Sequence, residues 1–257
     1  MDDYLMDDGS AMPLTVGEEA RFITPAKPVD ICFVFDTTGS MSDKIDGLVL
    51  CFESIEDTLH KLQLDWRMTA VPFGDLRIPG DRIVGDLPFV ATAEKAKRLL
   101  RDLPRFYGGA NSGESSLEAV LAGLAKPYRP EAVTVLIVLT DDSPIESAQL
   151  TVRSVNQQIH SQEAICFVAS PPQLGYEQWA HDNGGAWYCI SVSMDVSGIV
   201  RFLSGLVAEV AQVVRWVHEL TGGSVKRYRE LGSGPSDALF RASVESFCGD
   251  RRDHVSD

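Results

Sequence analysis

A carboxylate and three hydroxyls follow an apolar segment near the start of the chain. In the sequence VDICFVFDTTGSMSDKI the carboxylate is Asp36, and Thr38, Ser40 and Ser42 follow at alternate positions on a turn that contains a glycine. Oxygen ligands without sulfur or imidazole suit hard cations such as Mg²⁺, Mn²⁺ and Ca²⁺. This spacing therefore predicts a divalent-metal site at the end of a strand.

A second apolar segment also ends in carboxylates. The sequence AVTVLIVLTDDSP places Asp141 and Asp142 after the most apolar strand that we predict. In a doubly wound sheet, ligands bind at the carboxyl ends of the strands, where the winding direction reverses. We expect the strands that precede Asp36 and Asp141 to flank that crevice.

Strand-like and helix-like segments alternate along most of the chain. Apolar, β-favouring runs predict strands at residues 31–35, 66–73, 133–140, 164–169 and 186–192. Apolar residues at spacings of three and four predict helices at residues 45–62, 93–103, 146–160, 174–182 and 195–220, with another that begins near Ser115 in the capping-box sequence SSLE. This alternation predicts an α/β fold: a doubly wound, mostly parallel, Rossmann-like sheet with helices on both faces. Residues 82–90 predict one short antiparallel edge strand.

The ends of the chain differ in composition from its middle. Residues 1–27 read as an acidic N-terminal arm, and their first nineteen residues hold six carboxylates and no Lys or Arg. They lack the basic start and apolar run of a secretory signal. We assign residues 28–220 to one domain and residues 221–257 to a C-terminal tail that is partly disordered.

Charge and cysteine usage limit the classes of partner. The net charge of −14 argues against nucleic acid and anionic membranes as partners, because an acidic field repels both. We see no apolar run of the length that a membrane span needs. The five cysteines are odd in number and lack CxxC spacing, which favours reduced thiols and a cytoplasmic location.

The pattern D-x-T-x-S after an apolar strand, with LTDD after a later one, resembles a known site. It looks like the metal-ion-dependent adhesion site (MIDAS) of von Willebrand factor type A (vWA) domains, over residues 29–220. The resemblance implies that Asp36, Thr38 and Ser40 are the metal ligands of the first loop. It also implies that Asp141 contributes from the end of the central strand, and that the metal is Mg²⁺, with Mn²⁺ or Ca²⁺ as alternatives.

The third loop, GGANSGESSLEAV, departs from the common pattern. Many members of the family have a metal-binding threonine there, whereas this segment is similar to the integrin beta-subunit version, in which a glutamate enters the site. That similarity implies Glu114 as the third-loop ligand, with Asn111 and Ser112 as alternatives. Three carboxylates would over-neutralise a divalent ion, which favours calcium more than a site with two carboxylates does.

The resemblance implies a non-enzymatic interaction module. In such a module the metal accepts an Asp or Glu from a partner protein, and we expect a subunit of an intracellular assembly whose oligomeric state stays open. One alternative is a Mg²⁺-dependent phosphohydrolase of the haloacid dehalogenase type. Against it, Thr38 occupies the position of that family's second acid, and no suitably placed lysine stands out. The other alternative is a structural subunit with a degenerate metal site.

Overall fold

A parallel sheet forms the centre of the protein. The computed structural model describes residues 27–108, 113–172, 175–190 and 196–231. Its five strands run in the order β2-β1-β3-β4-β5, and every neighbouring pair is parallel. The strands are β1 (Lys27–Asp36), β2 (Leu64–Phe73), β3 (Val133–Leu139), β4 (Ile165–Ser170) and β5 (Trp187–Cys189). The predicted doubly wound α/β fold is therefore confirmed.

Helices cover both faces of this sheet. They are α1 (Ser42–Lys61), α2 (Ala93–Arg101), α3 (Ser116–Leu124), α4 (Val152–Ser161), α5 (Tyr176–Asp182), α6 (Val196–Thr221) and α7 (Val225–Glu230). Alternate residues of β1 enter two separate apolar clusters. Phe33 belongs to the cluster that also holds residues of α1, α2, α6 and α7, whereas Val34 belongs to the cluster that holds residues of α3, α4 and α5. Burial on both faces explains why β1 and β3 are almost entirely apolar.

The long helix α6 packs against α1 and the sheet. Its residues Ile199, Leu203 and Val210 belong to the same apolar cluster as Ile45 of α1. By length and composition alone, Ser197–Thr221 could span a membrane, but half of the tested stretch is buried inside the protein. Its broad apolar face therefore serves the core.

Three details differ from the sequence predictions. Residues 82–90 do not form the predicted antiparallel strand; they make two isolated antiparallel bridges to β2, through Ile83 and Val90. Pro72 of β2 and Pro88 of this segment have no N–H to donate, so a continuous ladder cannot form. Helix α4 begins at Val152 rather than at residue 146. Residues 225–230, which lie within the predicted tail, form α7.

The starts of α3 and α4 show which residues cap the helices. Ser115 precedes α3, but its side chain makes no capping hydrogen bond. Its Oγ accepts a hydrogen bond from the Leu76 N–H instead (2.9 Å). A reciprocal capping box forms at α4, where Thr151 and Ser154 each bond the other's backbone N–H. These two bonds fix the first turn of α4.

Candidate metal centre

The first loop of the candidate site continues directly from β1. Asp36 ends this strand and is fully buried. Its Oδ1 accepts hydrogen bonds from the Thr38 N–H (3.0 Å) and from Thr38 Oγ1 (2.7 Å). A 3₁₀ turn at Gly39–Met41 follows, and the hydroxyl oxygens of Thr38 and Ser40 lie 3.4 Å apart. The turn therefore gathers one carboxylate and two hydroxyls.

Two residues that follow β3 extend this cluster. Ser40 Oγ donates to Asp141 Oδ1 (3.0 Å), and Thr140 Oγ1 donates to Asp36 Oδ2 (3.0 Å). Because β1 and β3 are parallel neighbours, their carboxyl ends meet at the same edge of the sheet. The structure thus brings four of the predicted site residues, Asp36, Thr38, Ser40 and Asp141, into one hydrogen-bonded group.

Glu114, the predicted third-loop ligand, lies beside this group. A Cβ added to Gly108 would lie 3.2 Å from Glu114 Oε1 and 3.0 Å from Thr38 Cγ2. Glu114 is buried, and within the described residues its Oε2 has no hydrogen-bond partner. It is therefore near the Thr38 side of the cluster without being bonded into it. The alternatives Asn111 and Ser112 lie outside the described residues.

A lysine also enters the site. Lys44 on α1 donates from Nζ to the Ser40 carbonyl oxygen (3.1 Å), and Nζ lies 3.5 Å from Asp141 Oδ2. The side chains of Lys44 and Asp141 are each only 6% exposed. No lysine had stood out in the sequence as a residue of this site.

Burial and mutual repulsion make negative charge costly in this site. Burial raises the pKa of Asp36 to about 6; hydrogen bonds from Thr38 oppose this shift, and the charge of Asp141 adds to it. Burial, followed by the charges of Asp36 and Asp75, raises the pKa of Glu114 to about 8. A cation bound among these groups would favour their ionised forms and offset this cost.

Two further aspartates hold the loops around the site. Asp75 is buried and pairs with Arg77 (2.8 Å), which lowers the pKa of Asp75. Arg77 also donates to the Gly113 carbonyl oxygen (2.8 Å). Asp81 accepts from the backbone N–H groups of Asp75 (3.2 Å) and Gly108 (2.9 Å). Together these contacts attach the segment after β2 to both sides of the third loop.

The oxygen atoms gathered here fit a hard divalent cation. Thr38 and Ser40 supply hydroxyls, Asp36 and Asp141 supply carboxylates, and Asp141 Oδ2 is buried with no hydrogen-bond partner among the described residues. In the same part of the chain, no three His, Cys, Asp or Glu side chains form a group that could hold a metal. A metal here would therefore depend on the hydroxyls as well as the carboxylates.

Solved structures of another protein share this architecture. Structures of proximal thread matrix protein 1 from the mussel byssus match with a TM-score of 0.53 and 14% sequence identity. The fold is vWA-like. A further match, with the same TM-score of 0.53, is that mussel protein with a zinc-occupied MIDAS motif. The matches cover 72% of this chain and 48 to 49% of those chains, and identity this low shows the fold alone. No protein-family model and no curated protein matches the sequence.

Sequence reasoning missed three residues that shape the site. Thr140 hydrogen-bonds Asp36, and its signal was a hydroxyl at the end of the apolar strand, directly before the carboxylates. Lys44 stands four residues after Ser40, so the first helical turn carries it back to the loop. Asp81 acts through backbone contacts between loops, for which the sequence holds no local signal.

Proposed function

We propose that this protein is a divalent-metal-dependent interaction module that docks a carboxylate from a partner protein. The hydrogen-bonded group of Asp36, Thr38, Ser40 and Asp141 at the ends of β1 and β3 carries this proposal. Mg²⁺ is the proposed metal, with Mn²⁺ or Ca²⁺ as alternatives, because these ions prefer oxygen ligands. A bound ion would offer an open coordination position to an Asp or Glu of the partner.

Each residue of the site has a separate role in the proposed docking. Ser40 is exposed at the surface, whereas Asp36 and Thr38 are buried beneath it, so a partner approaches from the Ser40 side. Thr38 donates to one Asp36 oxygen and Thr140 donates to the other, so both oxygens are oriented. We propose Glu114 as the third-loop ligand because its Oε2 is buried and finds no hydrogen-bond partner in the described part of the chain.

The geometry favours docking over phosphoryl transfer. A nucleophilic aspartate must reach its substrate directly, whereas a metal ligand acts through the bound ion. Asp36 is fully buried, and both of its oxygens accept hydrogen bonds, from Thr38 and Thr140. Lys44 contacts Asp141 and not Asp36. We therefore propose a protein that is not an enzyme, and that acts in an intracellular assembly with a protein partner rather than with nucleic acid or membrane.

The cytoplasmic location that we propose agrees with the state of two cysteines. Cys32 and Cys166 are buried thiols, and burial raises the pKa of Cys32 to about 12. Burial raises the pKa of Cys166 as well. Both therefore stay protonated and serve as core residues.

Metal binding is tested by calorimetric titration of the chelator-treated protein with Mg²⁺, Mn²⁺ and Ca²⁺. We expect one-to-one binding that Asp36→Ala abolishes and Glu114→Ala weakens. Asp46→Ala is the matched control, because Asp46 is an exposed carboxylate on α1 whose ion-pair partner is Arg105. If the folded wild type shows no heat of binding with any of the three ions, the metal site is refuted.

Docking is tested with acetate as a probe of the partner carboxylate. Paramagnetic Mn²⁺ accelerates the relaxation of acetate methyl protons only if acetate reaches the metal. We expect faster relaxation with wild type and no effect with Asp36→Ala. Bound Mn²⁺ that leaves acetate relaxation unchanged would show a metal without an open position, and would favour the structural alternative.

A further inference from the structure

Lys44 is a buried cation in a site that we expect to bind another cation. Its side chain is 6% exposed, and its ammonium lies between the Ser40 carbonyl oxygen (3.1 Å) and Asp141 Oδ2 (3.5 Å). Burying an ammonium is costly unless a carboxylate or other acceptors compensate for the lost water. Both compensating groups belong to predicted metal-site residues, so the position of Lys44 is coupled to the site itself.

Asp141 depends on this ammonium in the same way. Its Oδ1 accepts a hydrogen bond from Ser40, whereas its buried Oδ2 has no hydrogen-bond partner among the described residues. The Lys44 ammonium is the charge that the structure places at ion-pair distance from Oδ2. In the protein without metal, Lys44 therefore compensates part of the negative charge that a divalent ion would otherwise neutralise.

We propose that Lys44 is a resident counter-ion that sets the metal affinity of this site. The ammonium holds Asp141 when no metal is bound, and it repels an incoming divalent cation. Metal binding thus has to overcome a cation that is already present, which keeps the affinity low enough for metal and partner to bind together. This inference rests on the metal-dependent function proposed above.

The same charge affects docking of the partner. Asp36, Glu114 and Asp141, when ionised, together carry three negative charges, so a divalent ion alone leaves the site negative. The positive charge of Lys44 brings that balance to zero. A partner carboxylate then meets less repulsion than three ligand carboxylates would otherwise cause. The charge of Lys44 thereby allows an acidic partner to bind at a site that already holds three acidic ligands.

A second buried lysine provides a matched control. Lys126 is also buried, but its Nζ donates to the Leu87 carbonyl oxygen (2.7 Å). It follows α3, near the end of the sheet opposite the candidate site. Loss of its charge removes a buried ammonium without changing the field at Asp141.

The test is calorimetric titration with Mg²⁺ and Ca²⁺ of wild type, Lys44→Met, Lys44→Arg and Lys126→Met. Removing a unit charge from the neighbourhood of a divalent ion would weaken their repulsion by roughly 1 to 3 kcal/mol at high effective dielectric, which corresponds to roughly a ten- to hundredfold change in Kd. We expect Lys44→Met to bind metal that much more tightly, and Lys44→Arg and Lys126→Met to stay near wild type. If Lys44→Met does not fold, Lys44→Gln replaces it, and circular dichroism verifies the fold of each variant.

The possible outcomes separate the inference from the proposed function. Metal binding by wild type with an unchanged or weaker Kd in Lys44→Met would overturn the role of Lys44 and leave the metal site intact. An equal gain in Lys126→Met would also overturn it, since the effect would then be general. Absence of binding in wild type and in Lys44→Met would overturn the proposed function and this inference together. Binding only in Lys44→Met would support the counter-ion role in its strongest form.

Discussion

Glu114→Gln tests whether unpaired negative charge destabilises the metal-free site. Glu114 is buried beside Asp36 and Asp75, and burial and these charges raise its pKa from 4.5 to about 8. Between these two values the folded protein keeps a proton that the unfolded chain releases. The folded state therefore binds more protons, and the free energy of unfolding falls as the pH rises through this range. Glutamine has the same shape and no proton to release, so the variant lacks this loss.

The size of the effect follows from the shift. At about 1.4 kcal/mol per pKa unit, a change from 4.5 to about 8 corresponds to about 4 to 5 kcal/mol. We expect wild type to lose this much stability relative to Glu114→Gln between about pH 5 and about pH 8. Both proteins should also lose stability up to about pH 6, because burial raises the pKa of Asp36 to about 6 in each.

Urea denaturation in the presence of EDTA, followed by circular dichroism at several pH values, measures this difference. The two stability curves should converge near pH 5 and separate toward pH 8, with the variant more stable. Saturating Mg²⁺ should raise the stability of wild type more than that of Glu114→Gln at pH 8, since the ion favours the charged carboxylate. Parallel curves in EDTA would refute the view that Glu114 is a destabilised, charge-crowded group.

Three further substitutions test other parts of the account. Asp30→Ala leaves Arg67 and Arg129 without their buried carboxylate partner; it should cost about 3 to 5 kcal/mol in urea denaturation and leave the metal Kd unchanged. Gly47→Ala places a Cβ 2.4 Å from Ile199 Cγ2; it should lower the thermal midpoint by several degrees, and an unchanged midpoint would contradict the tight α1–α6 contact. Thr140→Val removes a hydrogen bond that Asp36 accepts. In an NMR titration of this variant, the pKa of Asp36 should lie above about 6, and an unchanged pKa would contradict the role of Thr140.

The strands and most helices were predictable because a layered fold requires each type of element to bury a characteristic pattern of apolar residues. Residues 31–35 are apolar throughout and residues 133–139 are apolar except for Thr134, which is the pattern of a strand buried on both faces. The start of α4 was not predictable from the apolar spacing, because the reciprocal bonds of Thr151 and Ser154 decide it. The prediction of an edge strand at residues 82–90 was wrong because two prolines, Pro72 and Pro88, lack the N–H groups that continuous pairing needs.

The grouping of Asp36, Thr38, Ser40 and Asp141 was predictable because parallel neighbouring strands end at the same edge. Contacts between loops that are distant in the sequence were not predictable. Asp81 meets Gly108 across 27 positions of sequence, and no local pattern encodes such a contact. The pairing of Lys44 with Asp141 depends on the direction in which α1 leaves the loop, which becomes known only once the helix is packed.

A crystal of the protein soaked in Mn²⁺ and measured at the manganese absorption edge tests the central claim most directly. We expect one strong anomalous peak about 2.1 Å from the hydroxyl oxygens of Thr38 and Ser40, beside Asp36 and Asp141. Such a peak would place the ion on the residues that the sequence singled out. A fully soaked crystal in which these four side chains keep their mutual hydrogen bonds, with no peak among them, would contradict the metal-dependent account.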